Sequence, residues 1–169
     1  MGCGRNSDSR SGNGCVCDVV RAIKDIQDNA VLDDDCLDCP SCFLEPLGSM
    51  VSPARDRADT RVFVLKNADG SPFHAFFSPT NGACISIYFR VEDVFDNCCA
   101  TLRVLEPGRI EDRRFVPVNL VGGGERCCIN LERVCQVNSF RSTNDCITVD
   151  LNCFCAIQCI ADVDLGLCD

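Results

Sequence analysis

The chain has no tryptophan, one tyrosine (Tyr88), one histidine (His74) and two methionines among its 169 residues. With no Trp and a single Tyr it offers no ligand-stacking surface, and its ten Phe suit a dry core that needs no hydroxyl or indole partner. One imidazole supports no Ser-His-Asp grouping, and its place between Pro72 and Phe76 predicts a structural or surface role for His74. Positive charge is short as well. Asp plus Glu number 25 against 16 Lys plus Arg, a formal net charge of −9, so phosphate backbones and anionic lipid surfaces repel the chain. No stretch of ~20 apolar residues could span a bilayer, and the first residues, Met1-Gly2-Cys3-Gly4, lack the apolar run of a secretion signal. No Asn stands in an Asn-X-Ser/Thr acceptor. These absences predict no nucleic-acid partner, no membrane span, and synthesis in a reducing cytosol without a signal peptide.

What is abundant is cysteine: seventeen residues, an odd number that cannot pair off completely within one chain. Cysteine-dense chains are usually small secreted domains with too little core to fold unaided, yet a chain of this length buries roughly 70% of its unfolded surface without staples. The sulfur exceeds what folding needs. It serves links to other molecules, metal binding or redox chemistry.

Residues 1–17 read as a flexible, cysteine-containing arm, because the first fourteen have hardly an apolar side chain to offset ordering entropy. Residues 18–169 read as a single globular domain. Val19, Val20, Ile23, Ile26, Gln27, Ala30 and Val31 recur at three- and four-residue steps, which predicts one amphipathic helix over 18–32 capped by Asp18. Residues 33–60, rich in Asp, Pro and Cys, have no period and predict an irregular connection. From 61 to 160 the period is two, predicting β structure. Val62 and Val64 alternate with Phe63 and Leu65, and Asp69-Gly70 and Asn81-Gly82 mark turns. Ile85, Ile87, Phe89 and Val91 form one face of a strand, and Cys98, Ala100, Leu102 and Val104 one face of the next. Pro107-Gly108 and Gly122-Gly123-Gly124 punctuate the next region. Residues 127–137 predict a further strand, and Ile147, Val149, Leu151, Cys153, Cys155, Ile157 and Cys159 a last one. The fold class expected is mainly β: an antiparallel sandwich or barrel-like domain with one N-terminal helix and a flexible arm.

Strand geometry sorts the thiols, since neighbouring side chains point to opposite faces. In the adjacent pairs Cys98-Cys99 and Cys127-Cys128 one thiol of each faces outward, available to a neighbouring molecule or else inert or hidden by a loop. A bond within an adjacent pair is disfavoured by disulfide geometry. With Cys3, Cys15 and Cys17 on the arm and Cys168 near the end of the sequence, these are the candidates for intermolecular disulfides. Cys146, Cys153, Cys155 and Cys159 are candidates for burial or intramolecular pairing, either as small hydrophobes or in cross-sheet bonds. Cys36-X-X-Cys39-X-X-Cys42 is the alternative, a zinc-binding cluster lacking one donor of its own; Pro46 stands where an iron–sulfur run would place its fourth Cys. Arg126 beside Cys127, and the acidic run around Cys36, predict that Cys127 or Cys128 alkylates sooner than Cys36. Cys39-Pro-Ser-Cys42 lies in a connection and not at a helix start, as a redox motif would. No catalytic residue and no cofactor are expected.

Gly2-Cys3-Gly4, Cys15-Val16-Cys17-Asp18, Phe89-Arg90-Val91-Glu92 leading to Cys98-Cys99-Ala100-Thr101-Leu102, and the long run Val149-Asp150-Leu151-Asn152-Cys153-Phe154-Cys155-Ala156-Ile157-Gln158-Cys159 together resemble one family. It is the cysteine-rich spore coat protein Y and Z and exosporium protein Y group of endospore-forming bacteria. The resemblance implies a structural protein of the outer coat or exosporium, made in the mother cell. It further implies a hexameric homo-oligomer extending into a two-dimensional lattice, other coat or exosporium proteins as partners, and disulfide cross-links formed after the subunits have found their register. Some relatives carry a His-rich tail; this sequence stops at Asp169.

Overall fold

A computed structural model describes residues 14–30, 58–78, 84–121 and 128–167. The helix α1 spans Cys15–Ala30 and is followed by eight strands: β1 (Thr60–Lys66), β2 (Ala75–Phe76), β3 (Ile85–Ser86), β4 (Phe89–Val94), β5 (Cys99–Glu111), β6 (Arg114–Pro117), β7 (Ser139–Asp150) and β8 (Ala156–Val163). A one-turn helix α2 (Leu131–Val134) precedes β7, and a 3-10 turn, Leu151–Cys153, separates β7 from β8. As expected, the architecture is mainly antiparallel β with one N-terminal helix.

The long strand β5 organises the sheet. Along one edge it pairs with β4 through Ala100–Val104 and then with β6 through Gly108–Glu111; along the other it pairs with β7 through Cys99–Gly108. Beyond β4 lie β1 and then β8. The two outer strands are consecutive in sequence, which curls the sheet. Leu151 N donates to Cys98 O at the start of β5, and Cys155 N donates to Lys66 O at the end of β1. Residues 151–155 thus carry the chain across the barrel-like mouth.

Two apolar clusters lie on the two faces of the sheet. The inner one gathers Phe63, Leu65, Phe89, Val91, Leu102 and Val104 under Val16, Val20 and Ile23 of α1. The other takes Val62, Val64, Ile87, Tyr88, Leu105 and Leu120. Strand β1 is therefore buried on both sides, which is why its sequence is a continuous apolar run instead of a polar-apolar alternation.

Several boundaries differ from the sequence expectation, each for a local reason. The helix starts at Cys15, not residue 18, because Val16 and Cys17 are both buried against the sheet. Asp18 is no cap: its N–H already donates to Gly14 O (3.3 Å), and its carboxylate sits in the positive first turn. Cys15 and Cys17 thereby leave the arm for the helix. The strand expected over 85–92 is two, β3 and β4, redirected where Ile87 and Tyr88 are both buried in one cluster and Ser86 Oγ accepts from Tyr88 N (3.1 Å).

Pro107-Gly108 does not punctuate but lies within β5, with Pro107 paired to Phe140. Gly108 is required there, since a Cβ would overlap the Phe115 ring lying across it. Within 127–137 the described residues form α2, not a strand: Asn130 Oδ1 accepts from Glu132 N (2.9 Å) and Arg133 N (3.3 Å), satisfying two of the first-turn donors. The last predicted strand is broken at Leu151, where Asp150 accepts from Asn152 N (2.9 Å) and starts the 3-10 turn. The turn at Asp69-Gly70 is present, with Gly70 and not Asp69 at positive φ (82°).

Candidate functional site: the thiols of the curled sheet

Cys17 lies in the first turn of α1 and Cys98 immediately before β5, and the two form a disulfide, Cα to Cα 5.7 Å, across 81 positions of sequence. Both are buried, at 0% and 1% exposure. This corrects the expectation that either one links subunits. Helical geometry turns Cys17 inward beside Val16 and Val20, and a left-handed backbone at Cys98 (φ 64°) aims its side chain at the helix. Arg21 fastens the same helix turn to the β4–β5 hairpin through Phe95 O (2.9 Å) and Asp96 O (3.1 Å). Further along, buried Gln27 donates to Val91 O (2.9 Å) and accepts from Arg61 N (3.1 Å). It fills the gap where β1 and β4, paired only at Phe63 and Phe89, diverge.

Most of the remaining described thiols face outward. Cys15 on α1, Cys84 before β3, Cys135 after α2, Cys146 on β7, Cys153 in the 3-10 turn and Cys159 on β8 are free and exposed, and Cys99 is free and half-buried. Cys128 is exposed. The expectation of buried or internally paired sulfur is thus corrected for Cys146, Cys153 and Cys159. One continuous strand would line Cys153 and Cys159 up on an apolar face, but the turn at 151–153 carries Cys153 to the surface, and Cys159 lies on an outer strand of the sheet; Cys146 stands on the face of β7 opposite Val149. Cys155 is half-buried and disulfide-bonded. Strand geometry gives no expectation for Cys84, just before β3, or for Cys135, in the turn after α2. Cys3, Cys127 and Cys168 lie outside the described residues, as do Cys36, Cys39 and Cys42 of the alternative metal cluster.

Cys159 has the most developed surroundings. Although the residue is exposed, partial desolvation pushes its thiol up, the Arg61 guanidinium pulls it down, and Asp162 raises it again. Arg61 is held by Asp162 through two bonds of 2.8 Å, so most of its charge is already answered. Cys146 pairs across the sheet with Arg103, itself engaged by Glu92 and by Thr143 O. Tyr88 is pushed up to about 12 by burial, with the Cys135 charge second.

Among the described residues no three His, Cys, Asp or Glu side chains converge on a metal position. His74 is exposed and packs edge-on against Phe76. A cleft of about 370 Å³ is lined by Ser78, Glu106, Arg141 and Asp145. Its acids have structural duties: Asp145 accepts from Ser78 N (2.8 Å), and Glu106 faces Arg141 at 3.9 Å. No described helix is long and apolar enough to cross a membrane.

The family described as Spore coat protein Z matches residues 1–162. Spore coat protein Z of Bacillus subtilis (strain 168) is 32% identical over 157 residues, covering 90% of this chain and 92% of that protein. No solved structure matches. The match along nearly the whole length makes the assignment: the chain belongs to the Spore coat protein Z family and is a structural protein of the spore coat.

Proposed function

We propose that the protein assembles with copies of itself into a hexameric, two-dimensional lattice in the outer coat or exosporium, and that intermolecular disulfides then lock the lattice. The observation that supports this is the placement of free thiols on separate elements: Cys15, Cys84, Cys135, Cys146, Cys153 and Cys159 are all exposed. Thiols on one patch would allow one neighbour. Thiols spread over helix, turns and outer strands allow several. Subunits in closed symmetry meet through repeated interfaces, so modest contacts sum to a cooperative array.

Order precedes covalency in this scheme. The subunits are made in the mother-cell cytoplasm with their thiols reduced, find their register through weak contacts, and are cross-linked as the surroundings become oxidising. Cys3, Cys99, Cys127, Cys128 and Cys168 remain candidates beside the exposed set, and other coat or exosporium proteins are the expected partners.

Electron microscopy of the purified chain, oxidised with and without prior assembly, is the test. Regular sheets that resist denaturant until reductant is added support the proposal, whereas a monomer that stays monomeric after air oxidation refutes it. Stoichiometric zinc in the same material, with few disulfides, would move the assignment to a metal-binding module.

A further inference from the structure

The disulfide between Cys17 and Cys98 differs from every exposed thiol in one respect: no reagent can reach it while α1 lies on the sheet. Both residues belong to the inner apolar cluster with Val16, Val20, Val149 and Leu151, and their exposures of 0% and 1% leave no surface for a partner. Thiol–disulfide exchange needs a thiolate to attack one sulfur of the bond and a second thiolate to leave. Neither the attacking nor the departing group fits in a packed core.

We propose that Cys17–Cys98 is a gated latch. It closes only during moments when the first turn of α1 has lifted from the sheet, and once closed it is shielded from the reductants that open exposed bridges. The closing step balances with a small-molecule disulfide as oxidant. One protein thiolate attacks it, forming a mixed disulfide and releasing one thiolate. The other protein thiolate then attacks the protein-side sulfur and expels the second. Two protein thiols are oxidised, the reagent is reduced to two thiols, and the protons go to the thiolates released.

The mixed disulfide is too large for the closed core, so it forms on the lifted helix. Its resolution and the docking of α1 are one event. The residue that brings the second sulfur to the helix also holds a strained backbone. Cys98 has φ 64°, a left-handed conformation that glycine or asparagine would adopt more readily. The latch also fixes Cys15, two residues upstream; its use in bonding a neighbour rests on the function proposed above, whereas the latch itself does not.

The test compares two classes of disulfide in one folded molecule. The full-length oxidised protein is converted to glutathione mixed disulfides at its exposed thiols, then treated with dithiothreitol without denaturant, quenched, alkylated and mapped by peptide mass. The mixed disulfides at Cys15 and Cys159 are expected to open at least about tenfold faster than Cys17–Cys98, since the latter awaits local opening, and denaturant is expected to erase the difference. Val20→Ala, which thins the packing under the helix without touching sulfur, is expected to speed opening of the latch several-fold. Equal rates for both classes in the native protein, no effect of Val20→Ala, or absence of a Cys17–Cys98 peptide after oxidation would each overturn the proposal. Because mapping is read per chain, a failure of lattice formation leaves this result intact.

Discussion

Single residues carry much of the geometry. Gly108 abuts the Phe115 ring, over which the Arg141 guanidinium also lies at 4.2 Å. Gly108→Ala should therefore lower stability by about 1–3 kcal/mol, the usual cost of overpacking. In a double-mutant cycle Phe115→Leu should give part of that loss back, and strict additivity in urea midpoints would show that the ring is not the obstacle. Gln27 is the only described contact that answers both Val91 O and Arg61 N where the strands part. Gln27→Leu keeps the volume and removes both bonds, so a loss of roughly 1–3 kcal/mol is expected for each group left unsatisfied.

Cys159 gives a pH prediction of definite sign. Burial and Asp162 raise its thiol, and Arg61 opposes them. A thiol raised on folding stabilises the fold while protonated, so the contribution is whole below ~8.5 and fades as pH rises through the folded value. In the reduced subunit, labelling of Cys159 by iodoacetamide should reach half its maximal rate at a higher pH than that of an ordinary cysteine thiol. Arg61→Leu should shift that midpoint further up, and a downward shift would contradict the assignment of Arg61 as the opposing charge.

At the scale of elements, α1 and the β4–β5 hairpin are joined by sulfur at the cost of a strained backbone. The double variant Cys17→Ala/Cys98→Gly and its counterpart Cys17→Ala/Cys98→Ala both lack the bond, but only the first relieves the left-handed residue. The glycine variant is expected to be more stable by about 1 kcal/mol, measured by chemical denaturation, and the reverse order would show that the conformation costs nothing. The elements that were legible in the sequence are those with one packed face. Cys98, Ala100, Leu102 and Val104 alternate with Cys99, Thr101 and Arg103, and the first set is buried. The elements that were misread have side chains whose periodicity survives a break in the backbone. Ile147 to Cys159 alternates cleanly, yet Asp150 capping Asn152 turns the chain in the middle. Apolar residues around 129–137 imitate a strand, while the Asn130 cap, a local polar signal, decides for a helix. Ile87 and Tyr88 were split between two faces because neither shows in sequence that the strand bends there.

The thiols obey the same rule at the whole-molecule scale. Cys153 and Cys159 read as inward because no local pattern shows the turn at 151–153, whereas Cys146 faces outward by its own alternation with Ile147 and Val149. Cys17 and Cys98, separated by 81 positions, could be matched only by the fold. The strand order, with β8 beyond β1 and β7 beyond β5, depends on pairings such as Thr60 with Val163 that no local pattern announces. Buried Asp59 reinforces that join, accepting from Leu165 N (2.9 Å) and Leu167 N (2.8 Å) and tying the end of the described chain to the start of β1. The net charge of −9 makes identical subunits repel at neutral pH. Non-covalent assembly of the reduced protein should therefore accelerate with added salt, as screening shortens the reach of that repulsion to about 8 Å at physiological ionic strength. Slower light-scattering growth in salt would indicate that the contacts are themselves ion pairs.

The central claim is that exposed sulfur joins one subunit to another. Mixing chains of natural and heavy-nitrogen isotopic composition before assembly, oxidising, and sequencing the disulfide-linked peptides by mass spectrometry tests it directly. Isotopically hybrid peptides should appear for thiols of the exposed set, such as Cys15, Cys146 and Cys159, while the Cys17–Cys98 pair stays uniform within each chain. If every disulfide in the assembled material is isotopically uniform, the bridges are all internal and the account is contradicted.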